Sequence, residues 1–383
     1  MSPDDFQFVL DLLPGSPARK KHTAAPSPRR AAAATTKTRA PLDLKWSSLA
    51  DLRTLASGFR CVLSTASMNG RAVVVKHLSN DCRTDPLSQA ELESELSIHS
   101  ALEHPNIVTL LGAGRDERIG LFLVLERLDG GTLTQHVTGH DRMLKKKQSP
   151  KSSSNMADTP IARFFSGKKK GSTTTMMPFS ELLDYAQSLA YALAYLHGRS
   201  AVPGCVVLHR DLKPDNIVFT LSVPRTLKLI DFGLAKAVPG ADASLNDLYE
   251  MSGETGSLRY MAPEVAERMP YNHKADVYSF GIILWEMTAS KRPFEGYNRD
   301  IFFKRVVRGG ERPDLHYRWP RELKDLLASC WATSPAERPN FNEVLVKLKK
   351  MQEDEQQRAS SSSKSKSKDT FFGAVMERHS MWF

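Results

Sequence analysis

The densest group of reactive side chains lies in HRDLKPDNIVF (209–219), followed by LKLIDFG (227–233). Asp211 is a carboxylate able to take a proton from a hydroxyl. Lys213 sets a positive charge close by in the chain, suited to a group that gains negative charge as it reacts. Asn216 and Asp231 are hard oxygen donors of the kind Mg2+ prefers. A carboxylate base, a cation and hard oxygen donors thus stand close together along the chain. A chance polar loop between two strands does not account for the whole set.

Such a loop needs elements to hold it. Short apolar strands in AVPGCVVLH (201–209) and TLKLIDFG (226–233) flank it. FSELLDYAQSLAYALAYLHG (179–198) reads as a helix with Ser180 as N-cap and Gly198 past its last turn. KADVYSFGIILWEMTAS (274–290) is apolar nearly all round, which predicts a buried helix. Upstream, AVVVKHL (72–78), NIVTLLGAG (106–114) and IGLFLVLE (119–126) read as strands. Between them SQAELESELSIHSALEH (88–104) carries Leu92, Leu96 and Ile98 at helical spacing. The fold class is therefore α+β, a small β-rich lobe with one key helix joined to a larger, mainly helical lobe. Residues 1–41, 139–178 and 351–383 hold too few apolar residues to offset backbone ordering. They are expected as a basic arm, a basic insert and a Ser/Lys-rich tail around a folded domain over 42–350.

The 383 residues are 41% hydrophobic and 25% charged, which excludes collagen-like, wholly disordered and membrane classes. No apolar run approaches the roughly 18 residues of a membrane helix. The start, MSPDDFQFVLDLL, is acidic and does not read as a secretory signal. Cys61, Cys82, Cys205 and Cys330 lie far apart with no CxxC, so neither a disulfide framework nor a zinc site is indicated. A reducing, cytoplasmic compartment fits.

The HRDLKPDN and DFG motifs resemble those of the protein kinase family, and the resemblance extends over the folded-looking chain. VVVK (73–76), HPNIV (104–108), LVLERLDGGTL (123–133), MSGETGSLRYMAPEV (251–265) and CWATSPAERPNF (330–341) each match a family segment. The last two look most like the tyrosine-kinase-like group of Ser/Thr kinases, including its Raf-like and mixed-lineage members. The resemblance implies a bilobal fold that transfers the γ-phosphate of ATP, with Mg2+, to Ser/Thr hydroxyls of protein substrates. Asp211 would orient the hydroxyl, and Lys213, the residue that accompanies Ser/Thr specificity, would neutralise the moving phosphoryl. Asn216 and Asp231 would hold metal. Lys76 would bind the α/β-phosphates and pair with Glu95, with Glu91 one turn earlier as the rival. Glu126 and Leu128 would offer backbone groups to adenine, and Leu125 would guard the rear pocket. Val62, Val74 and Val218 would line the nucleotide. Ser257 would bridge Asp211 and Lys213, Glu264 would pair with Arg338, and Asp276 would support the HRD loop.

The phosphate loop departs from the family pattern. In LASGFRCV (55–62), Gly58 takes the second glycine place, while Ala56 and Arg60 stand at the other two. Arg60 would either clash with a closed loop or help hold phosphate. Val74 replaces a small Ala and narrows the adenine site. His99 stands where the family has an apolar packing residue, and is expected to pack rather than to react. These departures motivate a competing reading, a pseudokinase scaffold that binds partners. Retention of Lys76, Glu95, Asp211, Asn216 and Asp231 favours activity.

Arg210 precedes the catalytic Asp, and in related kinases this Arg grips a phosphate on the activation segment. Ser252 and Thr255 are the regulatory hydroxyls expected there, written by an upstream kinase. The net charge of +10 is uneven: +4 in residues 1–41, +7 in 139–178, zero in 351–383 and −1 in the rest. The basic excess thus belongs to the arm and the insert, and argues for docking or localisation, nuclear import included. No aromatic stacking platform accompanies the Lys runs, so nucleic acid is not an expected partner. A monomer or transient dimer is expected.

Overall fold

The computed structural model describes residues 42–138, 177–198, 201–240, 247–253, 256–358 and 360. The arm over 1–41, the insert as far as residue 176, Thr255 and residues 361–383 lie outside these. The chain divides into two compact units, 42–103 with 108–127, and 104–107 with the described residues from 128 onward.

In the first unit, β1 (Leu49–Ser57), β2 (Cys61–Met68), β3 (Arg71–Leu78), β4 (Leu110–Asp116) and β5 (Gly120–Glu126) form one antiparallel sheet in the order β1-β2-β3-β5-β4. Asn69 and Gly70, both at positive φ (53° and 76°), close the β2–β3 hairpin. That backbone suits the right-handed twist of paired strands. Helix α1 (Pro86–His99) starts at Asp85, whose carboxylate accepts from the Ser88 N–H at 2.9 Å, with Pro86 in the first turn.

Opposed residues of an antiparallel ladder share a face. The pairs Cys61–Leu78, Leu63–Lys76, Lys76–Leu123 and Val74–Leu125 put all these side chains on one side of the sheet. This side packs on α1 through Leu78, Leu92, Leu110, Leu121 and Leu123, with Cys61, Leu96 and Leu125 at the edge of the cluster. The other side packs Leu49, Ala66, Val73, Val75, Phe122 and Val124 against Leu44 and Trp46.

The second unit is mainly helical. It contains α2 (Leu133–Thr138), α3 (Phe179–His197), two hairpins, and helices α4 (Lys274–Ala289), α5 (Arg321–Cys330) and α6 (341–358). One hairpin pairs β6 (Cys205–Leu208) with β9 (Lys236–Pro239); the other pairs β7 (Ile217–Phe219) with β8 (Leu227–Leu229). Every residue of α4 from Lys274 to Thr288 is buried, as its all-round apolar pattern requires. Gly281 lets α5 approach: a Cβ there would lie 2.7 Å from that of Cys330.

Two expectations are corrected. Helix α3 starts after Pro178, so Ser180 lies inside its first turn and caps nothing. The fixed rotation of Pro178, φ −54°, stands before the helix in place of a capping side chain. The tail does not begin at 351: α6 runs to 358, and Met351 is buried within it. Its burial ties the last turns of α6 to the core. Met351→Ala is expected to destabilise the chain by about 2 kcal/mol. Chemical denaturation checks this; an unchanged midpoint would show that α6 is held by nothing beyond residue 350.

Candidate active site

In the first unit, β3 and α1 bring Lys76 and Glu95 together. Lys76 Nζ lies 2.7 Å from both carboxylate oxygens of Glu95, and the two side chains are only 9% and 3% exposed. Buried so fully, each charge depends on the other, and removing one strands its partner. Glu91, the rival, is engaged elsewhere: the Arg60 guanidinium donates to it. Ala56 is buried opposite Leu63, and the Gly58 N–H donates to the Cys61 carbonyl at 2.9 Å. Val74 and Leu125 are cross-strand partners on the Lys76 face. The Glu126 carboxylate accepts from both the N–H and the hydroxyl of Thr109, at 2.7 Å each.

The register corrects one assignment. Val62 is paired with His77, so it lies on the face opposite Lys76 and cannot line the same surface. The residues of β2 that share the Lys76 face are Cys61 and Leu63. Motif spacing alone could not find this, because a shift of one residue turns a strand side chain to the other face.

His99 ends α1 fully buried, its Nε2–H donating to the Val108 carbonyl at 2.7 Å. Burial pushes its pKa down to about 4, with the Val108 bond opposing the shift. It is a packing residue held neutral.

In the second unit the loop after β6 gathers its groups on Asp211. Lys213 Nζ donates to Asp211 Oδ2 at 2.6 Å, Asn216 Nδ2 donates to the same oxygen at 3.0 Å, and Ser257 Oγ donates to Oδ1 at 3.3 Å. Asn216 Nδ2 also donates to the Asp211 carbonyl at 2.9 Å, while its Oδ1 is buried with no hydrogen-bond partner among the described residues. An orphaned acceptor costs free energy unless something supplies positive charge or a proton to it. A hard cation is such a partner, so the donor set fits a divalent metal.

The loop is hung from α4. Both Asp276 oxygens accept backbone N–H groups, His209 at 2.8 Å on Oδ2 and Arg210 at 3.0 Å on Oδ1. His197 Nε2 lies 2.9 Å from Oδ2 as well. Burial would raise the Asp276 pKa, but His197, His209 and the Arg210 N–H outweigh it and hold the carboxylate below its ordinary value. His209 is wholly buried, and burial lowers its pKa. As a neutral ring it accepts from the Asp211 N–H at Nδ1 (3.4 Å) and donates from Nε2 to the Ile230 carbonyl (3.2 Å). Phe232 meets the edge of that ring, with centroids 5.2 Å apart. Arg210 and Asp231 both sit at positive φ, 68° and 66°. Left-handed backbone at non-glycine residues persists only where surroundings over-determine it.

Arg210 is spread over the segment that follows. Its Nε donates to the Tyr271 hydroxyl at 2.7 Å, and its Nη2 to the Ser252 carbonyl at 2.8 Å and hydroxyl at 2.6 Å. Thr255 lies outside the described residues. Arg338 grips Glu264 with two parallel bonds of 2.6 and 2.9 Å. Leu128 and Val218 are buried in this unit, Val218 within β7.

Sequence reasoning missed three contributors. His197 and Tyr271 act through contacts far along the chain, and carried no motif. Gly256, at φ 89°, passes so close that a Cβ would lie 2.6 Å from the Arg210 carbonyl and 3.1 Å from Asp211 Oδ1. Its signal was available: a glycine directly before Ser257.

A β-sheet unit with a Lys–Glu pair and a helical unit with an Asp-centred loop define the protein kinase class of fold. The description "protein tyrosine and serine/threonine kinase" matches residues 53–348, and the chain belongs to that family. It is 33% identical over 289 residues to the serine/threonine-protein kinase VIK of Arabidopsis thaliana, covering 75% of this chain and 56% of that protein. It is 30% identical over 266 residues to mitogen-activated protein kinase kinase kinase 7 of Drosophila melanogaster, covering 70% of this chain and 32% of that one. Against the serine/threonine/tyrosine-protein kinase HT1 of Arabidopsis thaliana it is 29% identical over 301 residues, 78% of this chain and 65% of that protein. The chain thus spans about a third to two thirds of the length of these relatives. Membership of the family implies ATP and a divalent metal in general. Among the described residues no helix is long and apolar enough to cross a membrane.

The state of His99 has a measurable consequence. Its folded pKa, about 4, lies below the ordinary value of 6.5, so the unfolded chain binds the proton first. The neutral ring's contribution is therefore complete above pH 6.5 and is lost as pH falls toward 4. Between pH 7 and pH 4.5 the wild type is expected to lose on the order of 2 kcal/mol more stability than His99→Gln. Denaturant titrations at several pH values check this, and parallel losses would show that His99 does not stay neutral.

Proposed function

We propose that this chain is an ATP-dependent serine/threonine protein kinase. The observation that carries the reading is the convergence of Lys213, Asn216 and Ser257 on the Asp211 carboxylate, with Asn216 Oδ1 left open beside it. In this reading Asp211 accepts the proton of the substrate hydroxyl and aims that oxygen at the γ-phosphate. Lys213 sits where charge grows on the transferred group, and Ser257 steadies the Asp211 carboxylate from its other oxygen. Asn216 Oδ1 and the Asp231 carboxylate would hold Mg2+, which supplies neutralising charge to the phosphate oxygens when bound. Lys76, held extended by its pair with Glu95, binds the α/β-phosphates. In this reading the backbone of Glu126 and of Leu128 would meet the adenine edge, Val74 and Leu125 would be the nucleotide-facing residues of the first unit, and Val218 that of the second. Leu63 and Cys61 replace Val62 in that role.

Ser252 is proposed as a regulatory hydroxyl, because its Oγ already lies 2.6 Å from Arg210 Nη2. A phosphate there would exchange a neutral acceptor for an anionic one on the same guanidinium. An upstream kinase is the implied partner, with protein Ser/Thr residues as substrates. A cytoplasmic location and a monomer or transient dimer complete the reading.

Radiolabelled phosphate transfer from ATP with Mg2+ tests it. Asp211→Asn is expected to lower kcat by about 10²–10⁴-fold. Lys76→Met should also abolish most activity. Equal signal from wild type and both variants would sink the enzyme reading and leave a scaffold.

A further inference from the structure

The turn between β1 and β2 is where this chain departs most from a glycine-rich phosphate loop, and the structure shows what holds it instead. Phe59 and Arg60 occupy its centre, and the Gly58 N–H donates across it to the Cys61 carbonyl at 2.9 Å. Phe59 is 76% exposed, so no side-chain packing anchors the tip. Polar ties from the segment between β3 and α1 do so. The Ser79 N–H donates to the Arg60 carbonyl at 2.7 Å, and the Ser79 hydroxyl to the Phe59 carbonyl, also at 2.7 Å. The Cys82 thiol reaches the same Phe59 carbonyl at 3.6 Å.

Those bonds fix the backbone. The side chain of Arg60 adds a charge pair with Glu91 on α1. Glu91 and Glu95 are four residues apart, one helical turn, and so lie on the same strip of α1. A single helix thereby holds two cations, Lys76 from β3 through Glu95 and Arg60 from the turn through Glu91.

We propose that Arg60 is a positioning residue for the phosphates of the nucleotide. Its pair with Glu91 docks the β1–β2 turn on the helix that also orients Lys76. The inference rests on the kinase reading and deepens it, since the turn and Lys76 are then set by one element. A loop with glycine at this place is positioned by its own backbone; here the segment before α1 holds the turn's backbone, and α1 itself holds the Arg60 side chain. Exposed ion pairs contribute modestly, so the effect on affinity should be about two- to fivefold rather than a complete loss.

The test uses the full chain as wild type, Arg60→Ala, Glu91→Gln, the double variant, and the swap Arg60→Glu with Glu91→Arg. Steady-state kinetics, direct binding of ATP and of adenosine, and amide hydrogen exchange over 57–62 are measured on each. Both single variants should raise KM for ATP about two- to fivefold, with a smaller change in kcat. They should leave adenosine affinity as it was and speed exchange in the turn. The double variant should be no worse than either single one, and the swap should restore exchange protection and ATP affinity. A defect in Arg60→Ala that Glu91→Gln does not share would assign Arg60 to direct phosphate contact and overturn the proposal. Unchanged exchange in the single variants would overturn it as well, as would a fall in kcat with KM constant. If the wild type transfers no phosphate, the kinase reading fails, while exchange and the ATP-against-adenosine comparison still decide this one. A wild type that binds no ATP overturns both.

Discussion

One carboxylate governs the catalytic loop. Asp276 sits in a helix buried from Lys274 to Thr288, and a charge there is costly unless fully satisfied. It is satisfied by two consecutive backbone N–H groups, those of His209 and Arg210, and by His197. Because those N–H groups belong to the loop, meeting the demand of Asp276 also sets the loop's backbone. The left-handed Arg210 follows from that constraint, and Asp211 is then presented to Lys213, Asn216 and Ser257. A buried helix thus sets the orientation of the loop that hangs from it.

The first unit works by the same logic with a different anchor. Its sheet presents Lys76 toward α1, and α1 answers with Glu95 from a face it also uses for Leu92 and Ile98. Apolar packing brings helix and strand together, and the ion pair then discriminates among the arrangements that packing allows. The β1–β2 turn is fastened to the same neighbourhood by Ser79, Cys82 and Glu91. A loop without its full set of glycines is compatible with this arrangement because its position comes from outside itself.

In the proposed reading, regulation and catalysis meet at Arg210. Its backbone N–H serves Asp276, while its guanidinium divides among Tyr271, Leu234 and Ser252. The Arg210 guanidinium already meets the Ser252 hydroxyl at 2.6 Å. A guanidinium at that distance favours a phosphate over a neutral hydroxyl.

Much of this was legible before folding was considered. The contiguous motif from His209 to Asn216 places a carboxylate, a cation and a hard oxygen donor within one loop, and the resemblance of that motif to the kinase family carries the proposed chemistry. The apolar pattern of 274–290 announces a buried helix, and Asp276 within it stands out as a charge needing partners. What the linear order could not settle was every feature set by alignment between elements. Val62 and Leu63 are neighbours in sequence, yet the hairpin register sends them to opposite faces. Glu91 and Glu95 are equivalent on a helical wheel, and only the position of Arg60 and Lys76 around α1 assigns each its cation. His197 reaches Asp276 across 79 residues of sequence, and Met351 extends the core past its expected end because a neighbouring surface is there to bury it. Chemistry carried by adjacent residues is determined by the sequence itself. Which face, which partner and which boundary are decided by tertiary packing, because they depend on distances that no local spacing encodes.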